Sequence, residues 1–111
     1  MEGLVKGDIV VLPFPFSNLS TAKRRPALAI TNLIGDDIIL CQISSQDRID
    51  RYSITLREID FKEGRLPVTS MIRIDKLFTA DKSIIIYKIG SIKQNKMSEV
   101  EESIIRMIKE K

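Results

Sequence analysis

The 111-residue sequence contains no histidine and a single cysteine, Cys41. Without histidine the chain cannot build a Ser-His-Asp triad, a Cys-His dyad, a histidine metal site or a paired-histidine ribonuclease mechanism. One cysteine cannot form an intrachain disulfide, and it leaves a four-ligand zinc site with almost nothing to draw on. Histidine-based catalysis and a disulfide scaffold are therefore excluded.

Aromatic residues and long apolar runs are also scarce. Tryptophan is absent, and two tyrosines and four phenylalanines leave a core that must be mostly aliphatic. The longest apolar run, from Ile9 to Phe16, is interrupted by Pro13 and Pro15 and is far too short to span a membrane. The N-terminal residues do not resemble a secretory signal, and a free thiol suits a reducing compartment. We therefore expect a cytoplasmic protein with no membrane segment.

Positively charged residues are in only slight excess over negatively charged ones. The chain has 18 lysines and arginines against 15 aspartates and glutamates, a net charge of +3, and 43% of its residues are hydrophobic. This is the composition of an ordinary globular protein, and the length predicts one domain over residues 1–111. The net charge is too small for a protein that coats nucleic acid, but a local basic groove is compatible with it.

Short strand-like runs dominate the first ninety or so residues. The turn signal at Gly35-Asp36-Asp37 predicts a hairpin, Pro13 and Pro15 are expected to end the first strand, and a polar loop is expected over Ser17–Arg25. The residues between Arg57 and Pro67 are expected to form a loop or a short helical excursion. The predicted strands are Asp8–Leu12, Pro26–Thr31, Ile38–Ser44, Tyr52–Leu56, Ser70–Asp75 and Ser83–Lys88.

The last residues change to a helical period. Ser98 and Glu101 fit a capping box, with Ser98 as the N-cap, and an apolar stripe follows at Val100, Ile104, Met107 and Ile108. The sequence therefore predicts a mainly β fold with one C-terminal amphipathic helix, in the form of a small β-barrel with helical decoration.

Three clusters could carry chemistry. Lys23-Arg24-Arg25 precedes Pro26 at the start of a buried strand, although such a cluster taken in isolation is more often a solvated charge run. Ser44-Ser45-Gln46 ends an apolar strand, where these groups could bind phosphate or simply cap the turn.

The third cluster lies on the predicted strand that includes Arg73 and Asp75. Alternation puts Thr69, Met71, Arg73 and Asp75 on one face, whereas Ser70, Ile72 and Ile74 share the other, which is the natural core side. Arg73 and Asp75 could be an acid and a base over a substrate, or a structural ion pair.

Four blocks in order resemble the PemK/MazF family of toxin endoribonucleases. The blocks are Gly7–Val10 with Phe14–Pro15, Lys23–Leu28, Gln42–Gln46 and Ser70–Asp75. The resemblance implies an SH3-like small barrel, shared with the CcdB gyrase poisons, and a sequence-selective ribonuclease for single-stranded RNA that needs no metal or other cofactor. It implies attack of a ribose 2′-hydroxyl, leaving a 2′,3′-cyclic phosphate and a 5′-hydroxyl, and a homodimer neutralised by an antitoxin.

The resemblance also assigns residues. Arg25 matches the arginine that contacts the scissile phosphate, and Ser44 falls where the family usually has a catalytic threonine. Arg73 and Asp75 match the strand proposed to supply acid and base in the Kid/PemK branch, whose first-loop histidine is missing here. Substrate contacts are expected from Lys23, Arg24, Ser45, Gln46, Thr69 and Ser70.

Two other readings remain open. A CcdB-like DNA gyrase inhibitor would have its working residues at the end of the helix, usually with an aromatic residue, and Ile104–Lys111 contains none. A catalytically weak RNA-binding member of the family is favoured only by the serine at position 44.

Overall fold

A single curled β-sheet with one helix packed on it forms the protein, in a computed structural model that describes residues 3–14, 23–46 and 49–110. The seven strands have the spatial order β4-β6-β3-β2-β1-β7-β5, and all pairs are antiparallel. The elements are β1 (Asp8–Phe14), β2 (Lys23–Asn32), β3 (Asp37–Ser44), β4 (Ser53–Leu56), β5 (Phe61–Glu63), β6 (Ser70–Asp81), β7 (Tyr87–Ile92) and α1 (Gln94–Lys109).

This architecture confirms the predicted mainly β fold with a C-terminal helix. The predicted hairpin is present, because β2 and β3 pair from Ala27–Gln42 to Asn32–Ile38. Gly35, in the turn, has φ +97°, a conformation that favours glycine. No helix among residues 3–14, 23–46 and 49–110 is long and apolar enough to cross a membrane.

The prediction of a loop over Ser17–Arg25 was wrong at its end. Residues 15–22 lie outside the described residues, but Lys23, Arg24 and Arg25 belong to β2 and pair with β1. Pro13 does not end β1, which continues to Phe14. At Pro13 the strand is paired with β2 only, because its last pair with β7 is at Val11. A proline is tolerated where only one side of the strand is paired.

Several elements differ from their predicted bounds: β6 continues beyond Asp75 to Asp81, and the helix and the last strand begin at other residues. The helix begins at Gln94 with Lys93 as its N-cap, so Ser98 is inside it and is not the cap. The reason is burial of Met97, which is 2% exposed and extends the apolar face of α1 by a turn. Residues 83–88 do not form a continuous strand, because Lys82–Ile84 is a 3-10 turn in which the Asp81 carboxylate accepts a hydrogen bond from the Ser83 amide at 2.8 Å.

Both faces of the sheet are covered. Met97, Val100 and Ile104 of α1 pack on a cluster that includes Leu28 and Ile72, whereas Ile108, predicted to share the apolar stripe, is exposed. The opposite face carries a second cluster with these main members: Val10, Leu12, Phe14, Ile38, Leu40 and Ile85.

The expectation that only one face of β6 is buried was wrong. Ser70, Ile72 and Ile74 are buried as expected, but Met71 and Arg73 on the other face are buried as well. Of the two charged residues Arg73 and Asp75, only Asp75 is exposed. The segment between Arg57 and Pro67 contains a 3-10 turn at Glu58–Asp60 and then β5.

Candidate active site

A groove of about 470 Å³ lies where β2 begins and β3 ends, a volume typical of ligand sites. It combines cations, hydroxyls and an apolar wall. The groove is lined by Val11, Lys23, Arg24, Arg25, Pro26, Ile43, Ser44, Ser45, Leu66, Pro67, Val68, Ser70, Tyr87 and Ile89. Six of the ten residues that the sequence nominated for a site therefore meet here.

Arg25 and Ser44 both line the groove. Each lies two residues beyond the Ala27–Gln42 pair, where the β2–β3 ladder begins, so alternation puts the two side chains on the same face of the sheet. Both residues are half-buried. Arg24 precedes Arg25 on the strand, so it reaches the groove from the other face. The groove therefore straddles the end of the sheet.

The electrostatic character of this groove is positive. None of its lining residues is an aspartate or glutamate. Within the described part of the chain, Lys23, Arg24 and Arg25 form no ion pair with a carboxylate. Uncompensated guanidinium groups favour a phosphate, which they can bind in bidentate fashion.

The serine hydroxyls of the groove differ in their surroundings. The Ser44 Oγ accepts a hydrogen bond from the Gln46 amide at 3.1 Å, so its own proton is still available for donation. The Ser70 hydroxyl is buried and donates to the Val68 carbonyl oxygen at 3.1 Å, which holds the wall of the groove. Ser45 is exposed. Ser44 is therefore the hydroxyl best placed to contact a ligand.

Gln46 and Thr69, which the resemblance offered as substrate contacts, are both exposed and do not line the groove. Gln46 takes part through its backbone amide, which orients the Ser44 hydroxyl.

Arg73 and Asp75 lie outside the groove as well. The Arg73 guanidinium is 8% exposed and is held between two carboxylates, at 3.5 Å from Asp50 and 3.4 Å from Asp75. Asp50 also accepts hydrogen bonds from the Tyr52 amide and the Ser53 hydroxyl. Two carboxylates thus compensate the charge of one cation, and Arg73 ties the turn before β4 to β6.

Cys41 packs beside this ion cluster. Its thiol donates a hydrogen bond to the Arg73 carbonyl oxygen at 2.7 Å. Burial, reinforced by the negative charge of Asp75, raises the pKa of Cys41 to about 12. The thiol is therefore protonated at neutral pH, and it does not act as a nucleophile.

Tyr87 and the wall at Leu66–Val68 were not foreseen from the sequence. Tyr87 was assigned to a strand without a site role, because alternation does not show which strand end opens on a groove. Residues 66–68 are far along the chain from Arg25, and only the folding of the sheet brings them opposite each other.

A larger depression of about 620 Å³ lies at the other end of the β2–β3 hairpin. Its lining includes Asp36 and Asp81 and only one cation, Lys82, so it does not suit a phosphate. Within residues 3–14, 23–46 and 49–110, no three histidine, cysteine, aspartate or glutamate residues are grouped to hold a metal ion.

Known proteins share this fold. An endoribonuclease bound to its cognate antitoxin, from a mycobacterial species, has a TM-score of 0.76 at 13% identity, over 96% of this chain and 95% of that chain. MazE-MazF from Deinococcus radiodurans has a TM-score of 0.76 at 19% identity, over 95% of each chain. The Mycobacterium tuberculosis toxin MazF-mt6 has a TM-score of 0.72 at 15% identity, over 91% and 95%. At these identities the likeness establishes the fold.

Sequence comparison establishes the family. No curated protein matches the chain in a sequence search. A model of the family described as PemK-like, MazF-like toxin of type II toxin-antitoxin system matches residues 5–108, which include every strand and nearly all of α1. The chain therefore belongs to the family of PemK-like and MazF-like toxins of type II toxin-antitoxin systems.

Proposed function

We propose that this protein is an endoribonuclease toxin that cleaves single-stranded mRNA, sequence-selectively and without a metal ion. The observation that carries the proposal is the acid-free groove that both Arg25 and Ser44 line. Such a groove binds a phosphodiester through charge and hydroxyl donors, and membership of the toxin family supplies the reaction class. Structural neighbours described as endoribonucleases support it at the level of the fold.

The proposed reaction is an internal transfer. The ribose 2′-hydroxyl attacks the adjacent phosphorus, and the bond from phosphorus to the 5′-oxygen breaks, leaving a 2′,3′-cyclic phosphate and a 5′-hydroxyl. Negative charge accumulates on the phosphate oxygens in the transition state, where the Arg25 guanidinium and the Ser44 hydroxyl stabilise it. The 2′-hydroxyl loses one proton and the 5′-oxygen gains one, so no net proton is consumed.

Arg73 and Asp75 have a different role in this proposal. Because Arg73 is buried between two carboxylates, we assign it as a positioning residue that holds the turn before β4. Its charge is already neutralised by its neighbours, so it attracts a phosphate less strongly than Arg25 does.

Incubation of the purified protein with a long RNA in excess EDTA tests the reaction. We expect cleavage to continue at the rate seen without EDTA, because side chains supply the charge stabilisation. The new ends should accept phosphate from polynucleotide kinase without prior phosphatase treatment, which shows a 5′-hydroxyl. A protein with Arg25 replaced, purified in parallel, controls for contaminating ribonucleases. Loss of cleavage in EDTA that Mg²⁺ restores would contradict the mechanism.

Substitution of Ser44 is expected to separate its two possible roles. Ser44→Ala should slow single-turnover cleavage by at least ~10-fold, since about one hydrogen bond to a charged group is lost. Ser44→Thr keeps the hydroxyl and restricts χ1, so it should cleave at least as fast as the wild type. If Ser44→Ala and the wild type have the same single-turnover rate, the hydroxyl only caps the strand.

Substitutions of Asp75 and of Arg73 distinguish a structural role from a catalytic one. Asp75→Asn leaves Arg73 paired with Asp50, so cleavage should change by no more than a few-fold. Arg73→Ala should lower the free energy of unfolding by about 1–3 kcal/mol, because partly buried carboxylates lose their charged partner. Thermal melts and single-turnover rates, taken where each variant is folded, give the comparison. A ~10²-fold loss of cleavage in Asp75→Asn with an unchanged melting temperature would instead make Asp75 a catalytic residue.

The partners follow from the family. We propose that the toxin forms a homodimer, acts in the cytoplasm and is neutralised by a cognate antitoxin. Neighbours of the same fold include an endoribonuclease in complex with its cognate antitoxin and MazE-MazF complexes.

A further inference from the structure

The groove is lined by one aromatic side chain, that of Tyr87. Tyr87 is 48% exposed, although it lies in the groove. It pairs with Val11 across β1 and β7, and Val11 pairs with Pro26 across β1 and β2. Tyr87, Val11 and Pro26 therefore form one row, and the Cα atoms of Tyr87 and Pro26 are about 10 Å apart, two strand spacings.

The lining of the groove also includes the apolar residues Ile89, Leu66, Pro67 and Val68, and Val68 is 54% exposed. Among the cations, Arg24 shares the face of the Tyr87 row because it lies two residues before Pro26. The groove thus presents a ring and an aliphatic wall as well as cations and hydroxyls.

We propose that the apolar lining of the groove binds a nucleobase of the RNA substrate, stacked on the Tyr87 ring, beside a phosphate held by the cations of the groove. The inference rests on the proposed ribonuclease function. A single-stranded RNA has the matching alternation of charge and flat apolar surface, because every phosphate is followed by an unpaired base. Aromatic side chains next to a cationic track are the common means of holding such strands.

The charge of the groove favours RNA over a polypeptide at this position. Its cations have no carboxylate among the lining residues, and a repeating phosphate backbone satisfies them at each step. Tyr87 is then a specificity-determining residue, since the volume between the ring and the wall limits which base fits.

Binding of a non-cleavable RNA tests the inference. Once the cleavage site is mapped, the nucleotide that supplies the attacking hydroxyl is replaced by its 2′-deoxy form, and 2-aminopurine is placed at successive positions. With wild-type protein, fluorescence should be quenched at one position near the site. Tyr87→Ala should abolish this quenching and weaken binding about 5- to 100-fold, the range for loss of one stacked base. Tyr87→Phe keeps the ring, so the quenching and the affinity should both remain.

The matched control is Ile86→Ala. Ile86 is the chain neighbour of Tyr87 and is comparably exposed, at 38%, but it does not line the groove. Its substitution should leave quenching and affinity unchanged. Replacing the quenched base by an abasic site should weaken wild-type binding as much as Tyr87→Ala does, and the two changes together should add nothing further.

The outcomes separate the two proposals. If wild-type protein cleaves RNA but Tyr87→Ala has the same RNA affinity and the same fluorescence quenching as the wild type, the proposed base site is wrong and the ribonuclease function stands. If wild-type protein neither binds nor cleaves RNA, or if a peptide competes for the groove while RNA does not, both proposals fail. If Tyr87→Ala does not fold, the abasic series on wild-type protein decides: equal affinity at every position overturns the base site.

Discussion

Arg25→Ala is expected to lower the single-turnover rate of RNA cleavage by at least ~10²-fold, the scale for removal of one group that stabilises transition-state charge. The physical reason is position, because Arg25 lines the same groove as Ser44 and the lining of that groove has no acidic residue. The melting temperature should change little, since Arg25 makes no ion pair with any described carboxylate. End-labelled RNA in a quench experiment measures the rate.

Arg24→Ala is the control for the loss of one positive charge. Arg24 lies in the same groove but is more exposed and reaches it from the other face of the sheet. We expect a weaker effect that appears mainly in KM and in the salt dependence of binding, because a phosphate contact outside the reacting bond stabilises ground state and transition state alike. Equal losses in the two variants would show that Arg25 acts only through charge. Full activity of Arg25→Ala would move the chemistry to Arg73 and Asp75.

Gly90→Ala is expected to lower the free energy of unfolding by about 3 kcal/mol, the upper end of the range for overpacking. A Cβ atom at Gly90 would lie 2.2 Å from the Glu63 carbonyl oxygen and 2.9 Å from the Gly64 Cα. These atoms are backbone, so a side-chain rotation cannot relieve the clash. The melting temperature should fall by at least ~10 °C, and thermal melts followed by circular dichroism measure it.

Gly35→Ala is the matched control for this substitution. Gly35 has φ +97°, but a Cβ atom there would meet nothing within 4 Å, so only backbone strain of about 1–2 kcal/mol is expected. If Gly90→Ala is no more destabilising than Gly35→Ala, the backbone at Glu63–Gly64 does not approach Gly90 as closely as the structure shows. This close approach of β5 to β7 matters for the groove, because Leu66–Val68 follows β5 and Tyr87 begins β7.

Sequence reasoning was accurate where local signals suffice. The strand at 53–56 follows from period-two alternation, and the β2–β3 hairpin follows from two apolar runs joined by a glycine turn. The same reasoning was wrong at residues 83–88, where Asp81 caps a 3-10 turn at Lys82–Ile84 and β7 begins only at Tyr87. It also misplaced the helix start, because the capping pattern at Ser98 was outweighed by the burial of Met97.

The sequence by itself determined the fold class and, through the resemblance of four blocks, the family and the candidates Arg25, Ser44, Arg73 and Asp75. Only the tertiary structure decided which of them share a groove. Arg25 and Ser44 line one groove because β2 and β3 are neighbouring strands with a defined register, whereas Arg73 is enclosed by Asp50 and Asp75. Register and enclosure depend on contacts between residues that are distant in the chain, which local patterns of charge and hydrophobicity do not specify.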